Sequence, residues 1–393
     1  MQRRKIFRFF DRYFGIPLVI FLALFTRRKR RLPIENIRNI LIIKLAAIGD
    51  AILLVPVLRK LKNSFPDVKI TFMCSDVNRV FVERIPYVDI IMNCKVYDFI
   101  RKPLYLISFL KQLRKIKYDL IVDAGQWERI NSILTIFARK YYSVGFNTKG
   151  QLKHIINDFV VEHIPDKHEV ENFMDLLMPL GIIPINGEYL FDDTQLEFFI
   201  TEEHRKFRRE FWKKNNLADK IVICFQPGCG LNGKPKQWDV ENYVDLAKRL
   251  KEIYPELFIL ITGTRTEKQY CEILNNAVKD YSINICSLYP IELDAVLIEK
   301  SKLIVCSNTG ILHIAASVGT KTIGLHGPHN DKKWGAYDKN AVVIRSDKFC
   351  SPCLYLGHDF GCRVPTCMKH ITVDQVYIAV RKALQPEYVV SVN

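Results

Sequence analysis

The sequence predicts an α/β protein built from two doubly wound domains, and two observations lead there. At 393 residues, 49% of them hydrophobic, the chain exceeds what one core usually organises. Short, continuous aliphatic runs also alternate with amphipathic stretches twice over, on either side of an irregular middle segment. Continuous rather than alternating hydrophobicity marks strands buried on both faces, as in a parallel sheet covered by helices.

The elements follow in order. In the first series 39–45 (NILIIKL) is a strand, and Asp50 opens a helix that runs to Ser64 and stops before Pro66. Strands follow at 68–74, 88–94, 118–124 and 141–146, with helical segments between them. The stretch 182–201 (IIPINGEYLFDDTQLEFFIT) breaks this rhythm with a proline, a glycine and an acidic pair, and carries the interdomain link. A second series places strands at 220–227, 257–263, 283–287, 302–307, 320–328 and 341–346, and 372–386 has helical spacing behind a threonine cap. The chain then divides into a basic amphipathic membrane-associating segment (1–38), a first domain (39–185), a linker (186–205), a second domain (206–371) and a terminal helix and tail (372–393). Two doubly wound sheets predict ligand binding at their carboxyl edges.

Charge is concentrated at the start. The whole chain carries +16, and residues 1–38 hold eleven Lys and Arg against Asp11 and Glu35, a net +9. Between the basic clusters lies YFGIPLVIFLALF (13–25), thirteen residues where a bilayer span needs about 20. No small-residue cleavage pattern follows it, and RRKRR (27–31) opposes translocation, so a secretory signal does not fit. Cations bracketing an apolar run, without interleaved aromatic platforms, argue against nucleic acid as the partner. The pattern suits a peripheral anchor on the inner face of the cytoplasmic membrane, with an anionic lipid surface as partner.

Three motifs carry chemistry. Asp50 follows a strand and the AAIG turn, where a carboxylate serves either as a helix-start acid or as a base presented at the sheet edge; Gly49 lets the turn close. The stretch CFQPGCGLNGKPKQW holds Gly228, Gly230 and Gly233 in a literal G-x-G-x-x-G after a strand. Lys234 and Pro235 follow, and the helix starts only near Asp239, so the dinucleotide reading fails on context. What remains is a glycine loop whose amides can face phosphate oxygens, with Lys236 as a cation beside it. Third, SNTGILHIAASVG (307–319) places Asn308 or Thr309 as cap of a helix whose first amides suit a diphosphate, with His313 one turn in.

Together these stretches resemble glycosyltransferase family 9, the bacterial heptosyltransferases that use ADP-heptose to build the lipopolysaccharide inner core. The resemblance rests on Gly49, Asp50 and Pro56, on Gly228, Lys236 and Trp238, and on Thr309, Gly310, His313, Ala315, Ala316, Gly319, Ile323, Gly324, Leu325, Gly327 and Pro328. It implies a GT-B fold of two Rossmann-like domains, acceptor in the first and nucleotide sugar in the second, with inversion and no required metal. By resemblance Asp50 is the catalytic base, with Lys44 and Gly49 on the acceptor side. Gly228, Cys229, Lys236, Glu267, Asn308, Thr309, Gly310 and His313 line the donor side, Glu267 near the ribose. The implied partners are a nucleotide sugar, ADP-heptose foremost, and a lipid-linked glycan acceptor. Another nucleotide sugar, or a non-catalytic binding relative, is the alternative.

Three departures from the family pattern stand out, one being that RRKRR (27–31) and the hydrophobic arm lie outside the family's catalytic core. Asn308 occupies a position that is often Asp, and Ala46 and Ala47 offer no hydroxyl before the IGD triplet. Near the C-terminus Cys350, Cys353, Cys362 and Cys367, with His358 among them, have metal-like spacing. A structural metal there is one reading; reduced packed thiols and disulfides are the others. Cys74, Cys94, Cys224, Cys271, Cys286 and Cys306 read as buried, reduced small hydrophobes.

Overall fold

Each half of the chain lays down six parallel strands. The computed structural model describes residues 11, 13–26, 29, 37–184, 188–230, 233–354, 356, 362 and 366–385. Contacts divide the chain into two units, Met1–Glu197 and Phe198–Asn393.

In the first unit β1 (Asn39–Ile43), β2 (Lys69–Cys74), β3 (Ile90–Asn93), β4 (Lys117–Asp123), β5 (Arg139–Asn147) and β6 (Phe159–Glu162) form one sheet in the order β3-β2-β1-β4-β5-β6. Ile40 to Ile43 of the central β1 are all fully buried, because helices cover both faces. Ile43 sits opposite Met73 on one neighbour and Asp123 on the other. The five strands expected in this half are present; the sixth, β6, is a four-residue edge strand that the sequence reading leaves out. The helix expected from Asp50 to Ser64 starts earlier and is broken into Ile48–Leu53 and Val55–Ser64. Pro56 explains the break, since it has no amide to donate to Ile52 and its ring crowds that carbonyl. It is tolerated in the first turn of the following helix.

The second unit repeats the pattern with β7 (Ile221–Gln226), β8 (Leu257–Ile261), β9 (Ser282–Asn284), β10 (Leu303–Ser307), β11 (Lys321–His326) and β12 (Val342–Arg345). Their order, β12-β11-β10-β7-β8-β9, is the same arrangement read from the opposite edge. Alternation still operates inside these continuous apolar runs. Ile223, Phe225, Leu303 and Val305 enter one core with Trp238 and Tyr243, while Val222, Cys224, Ile304 and Cys306 enter the other with Phe211 and Leu312. Fully burying a side chain of this size contributes about 1.5–3 kcal/mol, so both faces of the sheet stabilise the unit. The closing helix Val373–Leu384 begins with a full capping box from Thr372 and Gln375, and it packs on Val240–Ile253 within this unit.

The segment around the division is held rather than loose. The Arg59 guanidinium donates to the carbonyls of Asp192 at 3.1 Å, Asp193 at 2.9 Å and Gln195 at 3.2 Å, and pairs with Glu197. Beyond it, the helix Glu202–Lys214 opens with a Thr201 capping box and packs on Ile291–Lys300 of the second unit.

Near the N-terminus the helix Gly15–Ala23 lies on the first unit. Gly15 and Val19 are buried, and a Cβ on Gly15 would meet Arg129 Cδ at 3.1 Å. The Arg129 guanidinium pairs with Asp11 at 2.8 Å, both side chains nearly inaccessible. Phe14, Leu18, Phe21, Leu24 and Phe25 are exposed on the other side. Most of the flanking basic residues, from Arg3 to Arg12 and within 27–36, lie outside the described residues. No described helix is long and apolar enough to cross a membrane.

Candidate functional site

In both units the neighbours of the first strand run off in opposite directions along the chain, so the carboxyl ends of β1 and β4, and of β7 and β10, are topological switch points. Both contain the residues that the sequence singles out.

On the first unit, β1 ends at Ile43 and the chain turns through Lys44 to Gly49 into the helix Ile48–Leu53. Ala47 sits at φ +55° and ψ 140°, a conformation costly for a residue with a Cβ. Asp50 lies in the first helical turn, but its carboxylate caps nothing. Its Oδ2 accepts from the ammonium of Lys44 at 2.8 Å instead, and its side chain keeps 17% exposure while Lys44 has none. Among the described residues no donor engages Oδ1. Lys44 also donates to Oε1 of Gln126, which stands just beyond β4.

The electrostatics favour a base. Burial alone would disfavour the Lys44 charge, yet Asp50, Glu128 and Glu169 outweigh it and hold the ammonium above the ordinary lysine range. Asp50 shares that one cation with the other two carboxylates. Burial, with Glu128 and Glu169 adding to it, raises its carboxyl above the usual range despite the pull of Lys44. A carboxylate made more basic than usual and open at one oxygen suits proton abstraction from a hydroxyl. Gly49 is buried beneath the turn.

On the second unit β7 ends at Gln226, and Gly228, Cys229 and Gly230 follow. A Cβ on Gly228 would lie 2.4 Å from Glu267 Cγ, so only glycine lets the loop approach that side chain. Glu267 is buried with both oxygens occupied. Oε1 accepts from the Gly230 amide at 2.7 Å and from Gln226 Nε2 at 3.3 Å, while Oε2 accepts from the amide and hydroxyl of Thr264 at 2.6 and 2.8 Å. Its work in this structure is to shape the glycine loop, leaving little carboxylate for a ribose. Cys229 is partly buried, and desolvation pushes its thiol up to about 11, so it is not a thiolate near neutrality.

Lys236 ends a short 3₁₀ turn, and its Nζ donates to the carbonyl of Asn308 at 2.9 Å. Burial lowers its basicity below the ordinary lysine value. The next helix runs Val240–Ile253, from Asp239, in agreement with the late start that excludes a dinucleotide loop. Trp238 is wholly buried and donates to the carbonyl of Ile371 at 2.8 Å, which makes it part of the core.

After β10, Asn308 and Thr309 lead into the helix Gly310–Ser317. Thr309 occupies the cap position, but its hydroxyl donates to Gln226 Oε1 at 2.8 Å instead of capping. Gly310 and Ile311, in the first turn, have no carbonyl one turn behind them to bind. Their amides, the Lys236 ammonium and the glycine loop thus converge at the ends of β7 and β10, an arrangement able to hold a diphosphate. His313 is buried one turn in. Asn308 donates from Nδ2 to the Trp334 carbonyl at 2.9 Å and lies 3.2 Å from Nδ1 of His326.

Four contributors escape the sequence reading: Gln126, Glu128, Glu169 and Gln226. Gln126, Glu128 and Gln226 carried one available signal, since each stands at or just after the carboxyl end of a strand beside a switch point. Glu169 carried none, because only folding brings the start of a distant helix to Gln126.

The metal reading at Cys350, Cys353, Cys362 and Cys367 gains no support. All four are free, and among the described residues no group of three or more His, Cys, Asp or Glu is placed to hold a metal ion. His358 lies outside the described residues. Cys74, Cys94, Cys224, Cys271, Cys286 and Cys306 are free and buried, as their apolar surroundings require.

Known proteins bear on this arrangement in sequence and in structure. The model of glycosyltransferase family 9 (heptosyltransferase) matches residues 106–362. The lipopolysaccharide core heptosyltransferase OpsX of Haemophilus influenzae is 22% identical over 319 residues, 79% of this chain and 85% of that protein. Lipopolysaccharide heptosyltransferase 3 of Escherichia coli K12 is 24% identical over 312 residues, 75% of this chain and 84% of that one. Among solved structures, the E. coli ADP-heptose lps heptosyltransferase II aligns with a TM-score of 0.65 at 18% identity, over 88% of this chain and 98% of that one. E. coli heptosyltransferase WaaC with ADP gives 0.66 at 17%, over 88% and 99%. These likenesses place the fold in the GT-B class. With a family model matching well over half of its length, the chain belongs to glycosyltransferase family 9 and is a glycosyltransferase.

Proposed function

We propose that the protein is an inverting glycosyltransferase that moves a heptose from ADP-heptose to a lipopolysaccharide core-type acceptor, working peripherally at the inner face of the cytoplasmic membrane. The observation that carries this reading is the Asp50 carboxylate, raised in basicity, tied at Oδ2 and open at Oδ1. The relatives named above, lipopolysaccharide heptosyltransferases, support the choice of sugar and acceptor.

In this reading Asp50 takes the proton of an acceptor hydroxyl as that oxygen attacks the anomeric carbon. The bond from that carbon to the diphosphate breaks, and the electron pair leaves with ADP. A single displacement from the side opposite the leaving group inverts the anomeric centre. The departing charge falls on the first amides of the helix Gly310–Ser317 and on Lys236, with Gly228 and Cys229 supplying loop backbone. Asn308, Thr309 and His313 shape the wall beside the diphosphate, and Glu267 sets the loop from behind. Lys44 and Gly49 fix the acceptor side. The family resemblance implies that this step requires no metal. The apolar, cation-flanked N-terminus would hold the enzyme where a lipid-linked acceptor resides.

A donor screen tests it. Purified protein with a heptose-deficient core acceptor should transfer sugar from ADP-heptose, and ADP-heptose should raise its melting temperature more than UDP- or GDP-sugars do. Preference for a uridine or guanosine donor would overturn the heptose assignment, and binding without turnover would favour a non-catalytic relative.

A further inference from the structure

Behind the Asp50 and Lys44 pair lies a longer chain of polar groups whose hydrogen-bonding sense is fixed at every link. The Lys44 ammonium is wholly buried, donates to Asp50 and Gln126, and lies 5.5 Å from the centre of the Phe173 ring. An ammonium only donates, so Gln126 must present its carbonyl oxygen to it and its amide nitrogen elsewhere. That nitrogen donates to Glu169 Oε1 at 2.7 Å. His163 Nε2 lies 3.1 Å from both oxygens of Glu169. Because an ionised carboxylate only accepts, this network assigns the proton to His163 Nε2. Glu169 therefore prevents Gln126 from flipping, and Gln126 prevents Lys44 from leaving Asp50.

We propose that Gln126, Glu169 and His163 are positioning residues that keep Lys44 seated on Oδ2 of Asp50 and so leave Oδ1 alone as the basic oxygen. The proposal rests on the reading of Asp50 as base. It differs from simple core satisfaction in what it predicts. Groups that merely satisfy one another cost stability when removed, whereas a chain that holds the base changes its titration and its rate. The charged groups facing Asp50 are Lys44 after β1, Glu128 after β4 and Glu169 on the helix Glu169–Asp175. Of these only Lys44 lowers the carboxyl's proton affinity. Loosening it leaves the two carboxylates unopposed, so the base takes up its proton at higher pH.

The test uses the full chain, with Gln126→Met, Glu169→Leu and Glu169→Gln compared with wild type and with Asp50→Asn. Melting temperature, the pH profile of kcat/KM, and kcat and KM for each substrate are measured. Gln126→Met and Glu169→Leu should lower kcat roughly tenfold and leave KM for the donor within twofold; Gln126→Met should also move the acidic limb to higher pH, whereas Glu169→Leu should not, because it removes one of the carboxylates that raise Asp50. Glu169→Gln keeps an acceptor for Gln126 and should recover most of the rate. If Gln126→Met does not fold, the paired Glu169 variants decide by kcat and donor KM, since both lack the Glu169 charge and differ only in the acceptor they offer Gln126. Profiles and kcat that superimpose on wild type, in variants that melt like folded protein, would overturn the chain. So would Glu169→Gln behaving like Glu169→Leu. Full activity in Asp50→Asn would instead remove the base on which the proposal rests, so the two failures are distinguishable.

Discussion

At the level of single residues, Asn308 shows why a departure from a family pattern can be forced by its neighbours. Its Nδ2 serves two acceptors, the Trp334 carbonyl and Nδ1 of His326. Burial and the nearby Arg345 and Lys236 push the His326 pKa down to about 3, so this imidazole is neutral and its Nδ1 accepts. A carboxylate at 308 would face the Trp334 carbonyl with no proton to offer, whatever tautomer His326 adopts. Asn308→Asp should therefore lose about 1–3 kcal/mol at neutral pH, the cost of a buried unsatisfied group. The sign of the pH dependence follows from linkage. In wild type His326 binds its proton less readily folded than unfolded, so stability falls as pH drops from about 6.5 toward about 3. An aspartate beside it raises the folded pKa and removes that loss. The gap between variant and wild type should narrow as the pH falls through this window, measured by urea denaturation. A gap that is constant or widens would show that His326 is not the acceptor. Asp50 was legible in the sequence as a carboxylate at a strand-to-helix turn. The groups behind its partner Lys44 were not, because Gln126 lies 82 residues from Lys44 and Glu169 a further 43 along the chain, separations that only the sheet order closes.

At the level of elements, aliphatic runs identified eleven of the twelve strands, because continuous hydrophobicity is the direct consequence of two covered faces. The exception, β6, pairs on one side only and is partly exposed, so it lacks that signature. The helix break at Leu54 was written in Pro56, but a proline near a helix start reads equally as a first-turn residue. The N-terminal helix adds something the composition did not contain. Asp11 and Arg129 clamp Gly15–Ala23 to the first unit, and its outward side is apolar. Exposed apolar surface of this kind suits an interface, and the cations that flank this segment in the sequence are the reason an anionic bilayer is proposed as the partner. The protein should sediment with vesicles containing phosphatidylglycerol. Phe21→Asp together with Leu24→Asp should weaken that binding at least tenfold, since each buried apolar side chain contributes about 1.5–3 kcal/mol. Equal binding by the double variant, or none by wild type, would reject the anchor.

At the level of the whole molecule, one strand order occurs twice, and each copy uses its switch point differently. The first places a lysine-tethered carboxylate there. The second places glycine backbone, a lysine and a helix start, a set suited to anions. This division was legible because glycine, lysine and helix-start residues cluster in short stretches at strand ends. The polar contacts behind them, such as Glu267 on the glycine loop, join residues that share no local pattern. The measurement that tests the account most directly compares Asp50→Asn with wild type in two assays on the same preparation: donor affinity by calorimetry and sugar transfer by single turnover. The account predicts a transfer rate lower by roughly 10²–10⁴, the usual contribution of a general base, with donor affinity changed less than twofold. Transfer at the wild-type rate, or loss of donor binding in parallel with rate, would contradict it.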